Sequence, residues 1–483
     1  MQVKTQSGVV IGASHDRVVR FLGIPFAAPP TQTRRFQLPQ PPQDWTTPRP
    51  AHEAQPAPPQ PLTVGPGIRG AARTSEDCLY LNVYAPESTA APRPVLVWIF
   101  GGGYVNGDAA DPLFDGANLA RAQDLIVVTI NYRLGVWGFA ALVDRNVGLA
   151  DQIAALRWVH HNIGAFGGDA GNVTIIGESA GAMSVCTLLA CPAARGLFHR
   201  AIAQSGAAEN VGTRAQADET AAVLRELLVE DPQHADLATL LEAQRATLAR
   251  LRPRYRANPL RPHIDGHLLP EHPLAAAPLN SNVPLIIGIN RDEYRLYIRS
   301  SLKLDDDALT THVERRLIER DVQDPASSTQ RILAHYRATH TLHPRNPNAA
   351  LLADIETELR FRDPMLRYAT ARGRNTWVYQ FDWPSPALRG WLGATHAVEI
   401  PFVFGNFMLP SIAKFVGAGP DATALSNRMM SLWAHFARHG CPPDVWPAYT
   451  SKDRIQLHLN REIRSVRMDT DATVRLWDAL LRR

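Results

Sequence analysis

Lysine is almost missing from this chain. The 50 basic residues are arginine except at Lys4, Lys303, Lys414 and Lys452, and against 46 acidic residues they leave a formal net charge of +4. Arginine is interleaved with Asp and Glu instead of clustered, which argues against a nucleic-acid or anionic-membrane partner. A compositional bias of the coding DNA is the simplest reading of the arginine preference. Long apolar runs are missing too. The best, Val95–Phe100 and Leu125–Ile130, are strand-sized, whereas a bilayer-spanning helix needs about 20 apolar residues, so no membrane span is expected. Cysteine is sparse. Cys78, Cys186, Cys191 and Cys441 form no CxxC pair and no framework spacing, and the N-terminus opens into the hairpin pattern Val3–Ile11 with no basic-then-apolar leader. A reducing, cytoplasmic setting is the expectation.

Metal-ligand clusters are scarce as well. His263 and His267 flank Ile264-Asp265-Gly266, which reads as a surface turn, and the adjacent His160 and His161 face different directions on a helix. Asp305-Asp306-Asp307 suits the N-terminus of a helix. No metal and no cofactor are expected.

What is present is strand and helix in alternation. At 483 residues with 45% hydrophobic content, the chain can bury a large core. Val95–Phe100, Leu125–Asn131, Val173–Ile176, Ala201–Ser205, Pro284–Gly288, Thr376–Trp383 and Ile455–Leu459 read as strands. Helical stretches cover 150–165, 213–252, 306–320, 327–338, 349–371, 423–439 and 472–482. The pattern predicts an α/β fold: a large, mostly parallel sheet flanked by helices. It reads as a single domain, 1–483, with helical insertions at about 207–275 and 300–372.

Within it, Phe166–Gly181 reads as loop, short buried strand, sharp turn and helix start, with Gly177-Glu178-Ser179-Ala180-Gly181 at the turn. A G-x-S-x-G between strand and helix is the setting of a nucleophile elbow, in which the turn lifts the serine hydroxyl clear of the sheet. The amide of Ala180, at the helix start, then points where an oxyanion would form. Gly101-Gly102-Gly103, directly after the strand Val95–Phe100, can turn its amides to the same point. A serine nucleophile needs a base and the base an orienting acid, in the chain order Ser, acid, His. Glu293 and His396 meet that order, each just past a predicted strand, where open α/β sheets place their sites.

With those residues in view, the chain resembles the type-B carboxylesterases of the α/β hydrolases, in the style of bacterial para-nitrobenzyl esterases. The likeness spans nearly the whole length: Gly23–Ala27, Arg35-Phe36, Glu76–Asn82, Gly101–Gly103, Asn131–Gly135, Phe166–Gly181, Gln204–Gly206, Asp265-Gly266, Asn290–Glu293 and His396–Gly405. The resemblance implies a serine esterase acting on short to medium acyl or aryl esters, with Ser179, Glu293 and His396 as triad and Gly102, Gly103 and Ala180 as oxyanion donors. It implies a buried polar shell of Glu178, Ser205 and Glu399 around the histidine, for which a plain structural role is the alternative. The partner would be a small-molecule ester, the assembly a monomer or small homo-oligomer. A lipase, an amide or carbamate hydrolase and a non-catalytic binding relative are the rival readings; no long apolar lid is apparent in 60–74.

Some positions depart from the family pattern. Phe100 precedes the three glycines where many members have His, Tyr294 follows the acid where Gly is common, and Thr31-Gln32-Thr33 lacks a Gly. Cys78 matches a cysteine that is disulfide-bonded in secreted relatives but has no upstream partner, so a buried free thiol is expected. No aromatic residue lies between Trp45 and Tyr80, where cholinesterases carry their choline-stacking Trp, which disfavours choline esters. The segment 254–260, beside the acyl pocket in the family, lacks paired phenylalanines, so a permissive acyl site is expected.

Overall fold

The computed structural model describes the chain except residues 62–72, 88–91, 144, 229, 256, 300, 340–345 and 482–483. The stretch 60–74 examined for a lid therefore falls mostly outside the described residues. Eleven strands form the large sheet: β1 (Ala13–His15), β2 (Val18–Pro25), β3 (Tyr80–Pro86), β4 (Arg93–Ile99), β5 (Ile126–Ile130), β6 (Gly168–Glu178), β7 (Arg200–Gln204), β8 (Leu285–Asn290), β9 (Thr376–Phe381), β10 (Ile455–Leu459) and β11 (Ile463–Arg467). Their spatial order is β11-β10-β9-β8-β7-β6-β4-β5-β3-β2-β1. Pairing is parallel from β10 through β5 and antiparallel at both edges. Strands β4, β5, β8 and β9 are buried at every position. Their mostly apolar sequences, Val/Ile/Leu-rich in β4, β5 and β8 and aromatic in β9, reflect a sheet covered on both faces, where strict alternation would put polar residues into the core. The helices Val147–Asn162, Ala180–Ala190 and Pro420–His439 pack on the sheet.

The strand order reverses between β4 and β6. From β4 the chain goes to β5 on one side and returns to β6 on the other, leaving a crevice at the carboxyl ends of these two strands. Such a switch point is where doubly wound sheets bind ligands. Ile99 pairs with Gly177 across it, so Gly101–Gly103 and Ser179 emerge side by side.

The structure corrects several expectations. Residues 168–172, expected as loop, belong to β6, which is 11 residues long. The helix expected over 349–371 is interrupted by a π-helical turn at Glu358–Arg362. β10 continues through a hairpin into β11, which lacks a clear apolar run. The His263–His267 turn is at the surface only at its tip: Gly266 and His267 are exposed, but His263 and Asp265 are buried, and Asp265 accepts hydrogen bonds from the amides of His267 and Leu269 and from the Asn146 side chain. His160 and His161 are exposed, and Asp305 caps the helix Asp306–Ile318 by accepting from the Ala308 amide. Cys78 is a buried free thiol. Among the described residues no helix is long and apolar enough to cross a membrane.

One buried ion pair anchors the loops beneath the crevice. Arg133 donates to both oxygens of Asp151 at 2.8 and 2.7 Å, its backbone amide adds a third bond at 3.0 Å, and both residues are almost wholly buried. Two residues on, the Gly135 amide holds the Tyr104 carbonyl at 2.7 Å. Removing one partner of such a pair strands the other charge in the core. Asp151→Ala is expected to cost about 3–5 kcal/mol, measured as a lowered denaturant midpoint; a loss under about 1 kcal/mol would show that Arg133 finds other compensation.

Candidate active site

β6 ends at Glu178 and the helix Ala180–Ala190 starts two residues later, so Ser179 must make the turn alone. It does so at φ 55° and ψ −122°, a region that side chains avoid and that persists only where the surroundings over-determine it. Here they do. The Ser179 amide donates to the Gln204 carbonyl at 2.8 Å, and the Ser179 carbonyl accepts from Met183 at 2.9 Å. The glycines permit close approach: a Cβ on Gly181 would lie 1.9 Å from the Ile99 carbonyl oxygen.

The loop after β4 faces this turn. A Cβ on Gly101 would come within 3.0 Å of Ser179 Cβ and 2.8 Å of Glu178 Oε2, and Gly102 and Gly103 take positive φ of 107° and 64°. The amides of Gly102, Gly103 and Ala180 donate to no other group among the described residues. Phe100 stacks on Tyr132 with ring centroids 4.6 Å apart, so the residue before the glycines is a buried prop.

Glu293 opens a short turn directly after β8. Its Oε1 accepts from the Asn290 amide at 2.7 Å and its Oε2 lies 2.6 Å from His396 Nδ1, with both side chains buried. Asn290 and Asp292 tie the histidine loop to this turn. The Asp292 amide donates to the Ala394 carbonyl at 2.9 Å, the Ala394 amide donates to Asp292 Oδ2 at 2.7 Å, and Asn290 Nδ2 donates to the Thr395 carbonyl at 2.8 Å. Arg291 and Arg295 flank Asp292 and, against the effect of burial, hold its carboxyl below the usual range.

The other imidazole nitrogen, Nε2, lies 3.0 Å from Glu178 Oε1, but off the line of a hydrogen bond, and that oxygen has no donor among the described residues. No direct hydrogen bond joins Nε2 to the Ser179 hydroxyl here. Catalytic hydrogen bonds of free enzymes are often long and tighten once substrate is bound. Of the predicted shell, Glu178 therefore touches the histidine. Glu399 accepts instead from Gln204 at 3.0 Å and Asn290 at 2.5 Å, and the Ser205 hydroxyl makes no hydrogen bond among the described residues.

Glu178 and Glu293 beside the imidazole, with Glu399 buried nearby, cannot all be charged cheaply. Burial first, and then the charges of Glu178 and Glu293, push Glu399 up to about 8, so it carries its proton at neutral pH. Burial also raises Glu178, against the pull of His396. Burial alone would lower His396, but Glu178 foremost, with Tyr297 and Glu293, raises it well above the ordinary histidine value. A raised value keeps the imidazole protonated to higher pH, where it cannot accept a proton. Glu178→Gln removes one of those charges and is expected to move the acid limb of the kcat/KM profile to lower pH. An unmoved or upward-shifted limb would mean that Glu178 does not act on this histidine.

Two aromatic rings flank His396: Tyr297 at 5.5 Å between centroids, with 52% of its surface open, and Phe361 at 5.2 Å on the π-helical turn. Phe361 is not evident from the sequence, because a π-turn has no local signature, and Tyr297 reaches the ring only through the turn that follows Glu293. Asn290 and Asp292 were within reach, since they belong to the same short motif as Glu293. Tyr294, in place of the common glycine, keeps an ordinary negative φ, donates its amide to Thr357 and lies under the Arg360 cation.

A parallel-centred sheet with a strained serine elbow, an amide-lined loop and a buried Glu–His pair at one rim defines an α/β hydrolase. The carboxylesterase family model matches residues 1–477. The para-nitrobenzyl esterase of Bacillus subtilis (strain 168) is 36% identical over 482 residues, 95% of each chain. The phenmedipham hydrolase of Pseudarthrobacter oxydans is 33% identical over 489 residues, 96% of each chain. A solved PNB esterase structure superposes with a TM-score of 0.83 at 35% identity, covering 98% of this chain and 99% of its own. This chain belongs to the carboxylesterase family and is a carboxylic ester hydrolase.

Proposed function

We propose that the enzyme cleaves short to medium acyl or aryl esters through an acyl-enzyme on Ser179. The observation that carries this reading is the buried 2.6 Å contact of Glu293 with His396 at the rim where Ser179 makes its strained turn. His396 Nε2 takes the Ser179 proton as the hydroxyl oxygen attacks the ester carbonyl. The amides of Gly102, Gly103 and Ala180 stabilise the resulting oxyanion, and protonated His396 gives its proton to the leaving alkoxide. Water, deprotonated by the same nitrogen, then attacks the acyl carbonyl and releases the acid, restoring the Ser179 hydroxyl. Glu293 fixes the tautomer and stabilises the imidazolium.

The helices inserted between β7 and β8 (Arg214–Leu227, Leu237–Tyr255) and between β8 and β9 (Asp306–Ile318 to Asp363–Arg372) are read as a cap over the carboxyl rim. We read the working form as a cytoplasmic monomer or small homo-oligomer. A series of para-nitrophenyl esters of rising acyl length tests the substrate range. Turnover should be highest at short to medium chains and change smoothly through the solubility limit; a rate jump above that limit would identify a lipase instead.

A further inference from the structure

From Gly102 onward, the glycine loop that carries the proposed oxyanion donors is held carbonyl by carbonyl. The Gly102 carbonyl accepts from the amides of Val105 at 3.2 Å and Asn106 at 3.1 Å, and the Tyr104 carbonyl accepts from Gly135 at 2.7 Å. Between them, the Gly103 carbonyl has one partner among the described residues, the Nδ2 of Asn258, a residue 155 positions away. Asn258 is itself oriented. Its Oδ1 accepts from the Leu260 amide at 3.0 Å, and Leu260 is fully buried. That bond fixes which end of the side-chain amide is oxygen, and so aims the donor end at Gly103.

Gly103 needs such a clamp. It has a positive φ of 64° and no side chain, and nothing but Asn258 Nδ2, at 4.0 Å, lies near the place a Cβ would occupy. Glycine peptides in open space rotate easily. Unlike the Gly102–Gly103 peptide before it and the Tyr104–Val105 peptide after it, the Gly103–Tyr104 peptide has no backbone hydrogen bond among the described residues.

We propose that Asn258 is a positioning residue for the oxyanion loop: its side-chain amide locks the Gly103 carbonyl and thereby keeps the Gly102 and Gly103 amides aimed at the ester oxygen. The proposal rests on the reading of those amides as the oxyanion hole. It also links acyl pocket and hole, because Asn258 belongs to the segment expected to wall the acyl side.

The test compares wild type with Asn258→Leu, which is nearly isosteric but cannot donate, and with Asn258→Asp, which keeps the shape and places an acceptor against the carbonyl. Removing a hole donor costs 10² to 10³ in turnover, so loosening the loop is expected to lower kcat by about 10-fold in the Leu variant and by more in the Asp variant. KM should stay within about 3-fold, since the loss falls on the transition state. Inhibition by an alkyl trifluoromethyl ketone, whose hemiketal oxyanion occupies the hole, should weaken by the same factor as kcat/KM falls, with the acyl-length optimum unmoved. Folding is checked by near-UV circular dichroism, and either variant suffices if the other fails to fold. Unchanged kcat and ketone affinity with only a shifted acyl-length optimum would overturn the proposal and leave Asn258 as a pocket wall. Ser179→Ala in the same assay separates the two readings: if it abolishes turnover while the Asn258 variants match wild type, the positioning role alone fails; if it retains turnover, the site reading fails.

Discussion

Replacing Ser179 with alanine is expected to lower kcat on para-nitrophenyl butyrate by about 10⁴- to 10⁶-fold. The expectation is large because no other hydroxyl stands at the elbow. The Ser205 hydroxyl is fully buried, and under the proposed assignment the amides of Gly102, Gly103 and Ala180 and the Glu293–His396 pair can only assist water once the nucleophile is gone. Alanine keeps a Cβ at the strained φ of 55° and the same amide bond to Gln204, so the backbone strain is unchanged. The variant should unfold within a few degrees of wild type, and the lost activity then reports on chemistry. A loss smaller than about 10-fold in a folded variant would move the nucleophile elsewhere.

Glu293→Gln should cost nearly as much, about 10⁴-fold in kcat, and the structure says why a neutral isostere cannot serve. The Asn290 amide donates to Glu293 Oε1 at 2.7 Å, so a glutamine will turn its carbonyl oxygen to that donor. Its NH₂ group then occupies the place of Oε2, 2.6 Å from His396 Nδ1, and a donor there forces Nδ1 to accept. The imidazole proton moves to Nε2, the nitrogen proposed to take the serine proton. Pre-steady-state burst kinetics check this: acylation should become slow enough to abolish the burst, with KM little changed. A burst of wild-type rate would mean that Glu293 only fills space.

The parts of this site that the sequence announces are those fixed by neighbours in the chain. Gly177, Ser179 and Gly181 are legible together because a strand-to-helix turn this tight needs glycine on both sides of the serine, and Gly101–Gly103 only in company with that elbow, since three glycines at a strand end serve a plain tight turn equally well. Glu293 and His396 carry no such mark. They become legible through their order after the serine and their places past strands, and what joins them is sheet register across β8 and β9. The family resemblance then assigns their roles.

What stays hidden depends on contacts remote in sequence. Asn258 looks like any loop asparagine until the fold sets it beside Gly103. Phe361 looks like a helix core residue until a π-turn rotates it onto His396. His263 and Asp265 look like a surface turn because both are polar, yet Asn146, 119 residues from Asp265, supplies the partners that allow their burial. The long β6 escapes a pattern reading because Gly168–Asn172 holds a single apolar residue, Ala170: Gly168 pairs with Arg93 of β4, and 169–172 bulge out before regular pairing resumes at Val173.

The central claim is that one hydroxyl, at residue 179, carries the acyl group. It is tested most directly by trapping: incubation with a fluorophosphonate at one equivalent, followed by proteolysis and mass spectrometry of the modified peptide. The expected result is one phosphonyl group per chain, located on Ser179, with activity lost in proportion, and no labelling of Glu293→Gln on the same timescale. Full inactivation with the adduct on another residue, or a labelled Ser179 in an enzyme that still turns over, would contradict it.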